Sequence, residues 1–244
     1  MSTFDRDAVK NAIKPIVQTV AAAEELHTEE KLTENTLDCF GALIDSATQQ
    51  VSLSVWKQQE KARQIQKTKQ NAIGEMHERI LGTINGVQQL PIGNVCDIRC
   101  DRLKIIAEVK NKWNTTKGNH KIQIYNDLLS LIDGLEGYTG YYVEILPKNG
   151  KSYNEPFTPP NNLTHKNATG RDDIRRIDGR TFYGLLTGNK KALDELYMIM
   201  PRLIAEILNE KDKRKYDTDF IEKTIKNSSE FMELYNLVYH PPQG

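Results

Sequence analysis

From Phe4 to about Ile84 the apolar residues recur at the three- and four-residue spacing of amphipathic helices. The segments are DAVKNAIKPIVQTVAAAEEL, a polar turn HTEEKLTEN, then TLDCFGALIDSATQQVSLSVW and QIQKTKQNAIGEMHERILGTI. In the last of these Ile65, Ala72, Ile73, Met76, Ile80 and Ile84 fall on one face, and His77 joins Ile73, Ile80 and Ile84 there as an expected packed core histidine rather than a base. The pattern changes after the turn-rich NGVQQLPIGN. VCDIRC and KIIAEVKNKW are short β-branched runs separated by DRL, which predicts a hairpin. HKIQIYNDLLSLIDGLEG predicts a helix, and TGYYVEILP a strand that Pro147 ends. Lys148 to Arg176 is rich in Asn, Pro, Gly, Thr and Lys, lacks periodicity, and is too long for a mere connector. RTFYGLLTG is a further strand candidate. KKALDELYMIMPRLIAEIL predicts a helix with Pro201 near a kink, and DFIEKTIKNSSEFMELYNLVY a last helical segment.

Helices, hairpin, helix, strand, long loop, strand and helices in that order suit an α/β core, a small mixed sheet flanked by helices. An N-terminal helical region over 1–64 and a main core over 65–244 are the expected divisions.

Composition narrows the partners. The chain has 244 residues, 33 basic and 33 acidic, so no global field draws it to a polyanion or an anionic membrane, and any such partner must be held by local clusters. Cys39, Cys96 and Cys100 are an odd number and read as reduced thiols, with no second pair of cysteines or clustered histidines to complete a zinc site. No segment approaches the ~20 apolar residues that span a bilayer, and the stretch MSTFDRDAVKNAIK lacks the long apolar core expected of a signal peptide. A soluble, cytoplasmic protein with no membrane partner is expected.

Candidate chemistry lies in IIAEVKNKWNTTKG, residues 105–118. Alternation along the strand puts Glu108 and Lys110 on one face with Ile106, and Ala107, Val109 and Asn111 on the other. A tight turn at Asp101 and Arg102 would set Asp97 across from Ile106, diagonally beside Glu108 on the same face. Two carboxylates and an ammonium converging on a sheet face are costly to desolvate unless an ion or substrate neutralises them. Hard carboxylate oxygens suit Mg²⁺, which commonly binds one or two carboxylates together with phosphate oxygens, so phosphodiester hydrolysis is the chemistry implied. A second Glu-x-Lys, at Glu29 and Lys31, lies in a polar helical stretch without a hairpin and reads as a solvated face.

Asp97 followed by Glu108-Val109-Lys110 on a hairpin resembles the catalytic motif of the PD-(D/E)XK nucleases. The longer run AEVKNKWNTTKG, with NAIGEMHERILG before it and IDGRTFYGLLTG and ALDELY after it, is similar to the Type II restriction endonucleases that cut at G-G-N-C-C. The resemblance spans about Ala72 to Leu208. It implies a PD-(D/E)XK core, Mg²⁺ dependence, action on double-stranded DNA, Asp97 and Glu108 as metal ligands, and Lys110 as the catalytic lysine. Glu78 or Glu75, on the helix before the hairpin, is the additional acid it suggests; a surface salt bridge is the ordinary alternative. Cys96 stands where the family has a proline before the aspartate, which leaves Asp97 and Asp101 both open.

Asn111, Lys112, Asn114 and Lys117, with Thr115, Thr116 and Lys121, follow the active-site face and suit phosphate contacts. Around 148–180 a DNA-recognition loop is expected, in which Arg171, Arg175 and Arg180 are candidate guanine readers beside Arg176. Pairing of these arginines with Asp172, Asp173 and Asp178 is the competing expectation. A near-palindromic site is matched most simply by a homodimer, with the N-terminal helices as its candidate surface. A nuclease of repair or junction cleavage, or a non-catalytic helical DNA-binding protein, are the alternative readings.

Overall fold

The computed structural model describes residues 3–91, 93–161, 165–211, 217–226 and 228–241. The N-terminal third is helical: α1 (Arg6–Leu26), α2 (Glu29–Glu34), α3 (Cys39–Gln49), α4 (Leu53–Gly74) and α5 (Met76–Leu81). The two long helices read from periodicity are each broken. Gln50 takes a left-handed conformation (φ 55°) that ends α3, and the Ser52 side chain accepts the Val55 N–H to start α4. A second break at Glu75 separates α4 from α5. The Glu29-x-Lys31 pair falls in α2, and the Glu29 side chain lies outside the described part.

The strands follow: β1 (Gln88–Gln89), β2 (Ile98–Cys100) and β3 (Ile105–Lys112). Helix α6 (Gly118–Ile132) crosses to β4 (Thr139–Leu146). The long segment after Pro147 then contains β5 (Asn154–Pro156), β6 (Pro160–Asn161), β7 (Lys166–Asn167) and β8 (Ile174–Asp178). Among the described residues six strands make one mixed sheet, in the order β1-β2-β3-β4-β8-β5, and β6 pairs with β7 in a separate ribbon. β3, β4 and β8 are mutually parallel, and β1, β2 and β5 are antiparallel to their neighbours.

RTFYGLLTG is not a strand. It forms α7 (Gly179–Thr187), because the Asp178 carboxylate accepts the Thr181 N–H at 3.1 Å and Gly188, at φ 73°, closes the other end. Gly179 lies so close to β4 that an added Cβ would fall 2.6 Å from the Ile145 carbonyl oxygen. Helix α8 (Ala192–Lys211) runs through Pro201, and the last apolar segment is divided into α9 (Thr218–Lys226) and α10 (Ser229–Tyr239).

The sheet separates two apolar layers. Ile98, Ala107, Val109, Val143, Ile145 and Ile177 face a large core closed by α1, α5, α7, α8 and α10. Ile106, Tyr142 and Ile174 face α6, through Tyr125, Leu128 and Ile132. Val9 and Ile13 of α1 are fully buried in the large core, and α4 runs unbroken across the expected boundary at 64 and 65. The first helix is therefore part of the main core by packing.

Candidate active site

β2 and β3 are joined by a 3-10 turn over Asp101–Leu103, with Lys104 in the left-handed region at φ 53°. Four residues, not two, make the connection. The register is accordingly Ile98 with Ala107 and Cys100 with Ile105. Asp97 stands just before β2 and not on the ladder, and its N–H turns to the carbonyl of Ala107, the partner of Ile98, so it is not placed across from Ile106 as the two-residue turn would have it. The shift is even in residues, so the faces stand as expected: Glu108 and Lys110 share the α6 side with Ile106, while Ala107 and Val109 enter the large core.

Asp97 marks where the ladder gives way to side-chain bonding. Its N–H donates to the Ala107 carbonyl at 2.9 Å, and its Oδ2 accepts the Val109 N–H at 2.8 Å. Lys110 Nζ lies 2.6 Å from Glu108 Oε1 and 3.9 Å from Asp97 Oδ2. Burial and the Asp97 carboxylate beside it raise the Glu108 pKa. Burial pulls the Lys110 pKa down, but Glu108, Asp97 and Glu78 outweigh it, so the ammonium is held protonated. Glu78, on α5, is pushed up to about 7 by burial and by the charges of Asp97 and Glu108. Glu75 is instead engaged with Arg79 at 3.0 Å on the surface of the helix. Asp101 lies at the far end of β2, exposed, bonded to Arg99 at 2.5 Å and to the Tyr138 hydroxyl at 2.7 Å. The hairpin thus brings Asp97, Glu108 and Lys110 together within reach of Glu78 and leaves Asp101 outside.

His77 is buried, with Nδ1 3.0 Å from the Tyr183 hydroxyl, and burial lowers its pKa to about 4, so it is a neutral core residue. The described cysteines are free thiols, and burial pushes Cys96 up to about 11.

A second polar cluster escaped the sequence reading. In register, Lys110 pairs with Glu144 on β4 and Glu144 with Asp178 on β8, so the charged row continues across the C-terminal halves of the parallel strands. Glu144 is 1% exposed; its carboxylate accepts Lys121 Nζ of α6 at 2.9 Å and the Tyr153 hydroxyl. Lys121 also donates to the Trp113 carbonyl at 3.3 Å, tying the loop after β3 to the sheet. The one available signal was a glutamate inside the apolar run TGYYVEILP.

Of the expected DNA contacts, Lys112, Asn114 and Lys117 are exposed, Lys117 at the N-terminus of α6. Asn111 and Lys112 also border an apolar groove walled by Ile73, Met76, Leu196 and Tyr235. The arginines are engaged within the chain. Arg171 makes a two-pronged pair with Asp173 at 2.8 and 2.7 Å. Arg175 is bonded to the Asn154 side chain and carbonyl, both at 2.6 Å. Arg176 pairs with Glu155 at 2.5 Å and lies over the Tyr153 ring, and Arg180 donates to the Tyr239 carbonyl. Among the described residues no three His, Cys, Asp or Glu side chains close into a ready-made metal cage. The donor chemistry nevertheless fits a hard divalent cation. Glu78, Asp97 and Glu108, when ionised, are offset by a single ammonium, and two carboxylates with water and phosphate oxygens suffice for Mg²⁺. No described helix is long and apolar enough to cross a membrane.

The family model of the Eco47II restriction endonuclease matches residues 1–209. The Type II restriction enzyme Eco47II of Escherichia coli is 38% identical over 225 residues, 91% of each chain. The Type II restriction enzyme Sau96I of Staphylococcus aureus is 26% identical over 189 residues, 76% of this chain and 72% of that enzyme. With its mixed sheet and its carboxylate and lysine hairpin inside the matched span, the chain belongs to the Eco47II restriction endonuclease family.

Proposed function

We propose that the protein is a Mg²⁺-dependent Type II endonuclease with a PD-(D/E)XK core that hydrolyses double-stranded DNA at GGNCC sites. The observation that carries this reading is the gathering of Glu108 on β3 and Asp97, just before β2, about the Lys110 ammonium, 2.6 Å from Glu108 and 3.9 Å from Asp97. Asp97 and Glu108 would hold the cation, and Glu78 is the further acid near it. Such an ion supplies Lewis-acid polarisation of the scissile phosphate and eases deprotonation of the attacking water. Lys110, fixed by its carboxylate partners, orients that water or offsets the charge that develops on the phosphate. The Glu144 and Lys121 pair, by anchoring the Trp113 carbonyl, holds the loop that leads from the catalytic strand to the exposed Lys117. Asn114, Lys112 and Lys117 suit phosphate contacts there.

A homodimer in the cytoplasm completes the reading, with one active centre for each strand of a near-palindromic site. Phe40, Leu43 and Ile44, each more than half exposed on one side of α3, favour the N-terminal helices as the surface where two copies meet.

Unmethylated phage DNA incubated with the protein and Mg²⁺ is expected to give discrete fragments whose sequenced ends fall at GGNCC, and EDTA is expected to stop the reaction. Cleavage confined to branched junctions, undirected degradation, or binding without cleavage would each overturn the proposal.

A further inference from the structure

Granted the reading of the protein as an endonuclease, we infer that Glu144 and Lys121 are positioning residues of the same site. Their buried ion pair ties down the two segments that leave the carboxyl ends of β3 and β4, and so sets the rim around Lys110 over which DNA would lie. In the apolar run TGYYVEILP, alternation turns Glu144 to the α6 side with Tyr142, while Val143 and Ile145 enter the large core. Glu144 is 1% exposed. An ion pair so deep adds little stability that two apolar side chains of the same size would not supply, because both charges must first leave water. Its use lies in the directed bonds it makes.

Those bonds run to both segments. Lys121 Nζ donates to Glu144 Oε1 at 2.9 Å and to the Trp113 carbonyl at 3.3 Å, which fixes the start of the loop after β3. Glu144 Oε2 accepts the Tyr153 hydroxyl, which fixes the end of the segment after β4. The two segments are also joined to each other and to β8. The Trp113 N–H donates to the Leu146 carbonyl at 3.1 Å, and Lys148 Nζ lies over the Trp113 ring at 5.2 Å. The Tyr153 N–H donates to Asp178 Oδ2 at 2.8 Å, and the Asp178 N–H returns to the Tyr153 carbonyl at 3.1 Å. One buried carboxylate is the point at which these ties converge.

Placement gives the convergence its use. β3, β4 and β8 are parallel, and the crevice outside the carboxyl ends of parallel strands is where open α/β sheets take their ligands. The register makes Glu144 the neighbour of Lys110 on the adjoining strand. A rim held there from inside the protein keeps a bound phosphate in line with the reacting groups, and a misplacement of about 1 Å can cost on the order of 100-fold in rate.

The test separates stability from positioning in the full-length protein. Lys121→Met leaves the Glu144 carboxylate buried without its counter-charge and should lower the unfolding temperature by roughly 6 to 20 °C. Adding Glu144→Met removes the second charge and should bring the temperature back towards wild type. Cleavage should not return with it: at saturating duplex the single-turnover rate of the double variant should stay roughly 10- to 100-fold low. A second readout needs no DNA. Trp113 is 37% exposed and Trp56, the other tryptophan, is 3% exposed, so acrylamide quenching reports chiefly on Trp113 and should rise in the double variant. Tyr153→Phe keeps the ring and loses only the bond to Glu144, so it should slow cleavage roughly 2- to 12-fold and leave the quenching of Trp113 as in wild type. A double variant that cuts at the wild-type rate, or whose Trp113 is no more accessible, would reduce the pair to a packing role. Wild-type cutting by Tyr153→Phe would detach the β4 segment from it. Should the double variant not regain stability, Lys121→Met held well below its unfolding temperature gives the same two readouts. Wild-type protein that cuts no DNA would instead overturn the endonuclease reading and leave the Trp113 measurement standing, so the two failures are separable.

Discussion

Glu108→Ala and Lys110→Ala are each expected to lower cleavage on the order of 10³-fold or more while the protein stays folded and continues to bind DNA. Both side chains stand on β3 but outside the apolar layers, with 16% and 30% of their surface exposed, so their loss leaves no large cavity. Their removal acts on charge. Without Glu108 a cation loses one of its two facing carboxylates. Without Lys110 the carboxylates of Asp97 and Glu108 repel each other with no ammonium between them. Thermal unfolding and gel-shift titration should match wild type within small margins, while single-turnover rates fall. Near wild-type cutting by either variant would place the active centre elsewhere.

Asp97→Asn should abolish Mg²⁺-dependent cleavage to a similar degree, and Asp101→Asn should leave it almost untouched. The comparison separates charge from architecture. An asparagine at 97 keeps an oxygen able to accept the Val109 N–H, so the end of the ladder survives while the negative charge is lost. Asp101 is exposed at the other end of β2, and its pairing with Arg99 is of the surface kind that contributes little. Rates measured against Mg²⁺ concentration distinguish the two, because added metal should not rescue a missing ligand charge at ordinary concentrations. Loss of activity in the Asp101 variant with retention in the Asp97 variant would reverse the assignment.

Much of the candidate hairpin was legible because its signals are local. β-branched runs flanking DRL located β2 and β3, and alternation put Glu108 and Lys110 on one face. Only the turn was misjudged: Lys104 accepts a left-handed backbone without being Gly or Asn, which no short-range pattern announces. The α7 segment misled in the opposite way. Thr181, Phe182 and Tyr183 favour a strand, yet Asp178 before the segment and Gly188 after it are a helix cap and a helix stop, and those outweighed the residues between them. The arginines were the hardest to assign. Arg175 and Arg176 take partners 21 residues away on β5, a strand made visible only by its pairing with β8. Glu144 and Lys121 were equally hidden, since their ion pair joins α6 to β4 across 23 residues and neither side chain stands out alone.

The hydrogen bond from the Val109 N–H to Asp97 Oδ2 has a spectroscopic consequence. Most amides of β3 answer to backbone carbonyls and are insensitive to what happens on the carboxylate face. The Val109 amide answers to a proposed metal ligand. Its proton resonance is therefore a built-in reporter of the charge on Asp97, and titrating Mg²⁺ into the DNA-free protein should move it while the Ile105 amide, paired with Cys100 at the far end of the same hairpin, stays in place. Cation occupancy becomes readable from one backbone signal, with no substrate present and no bond cleaved.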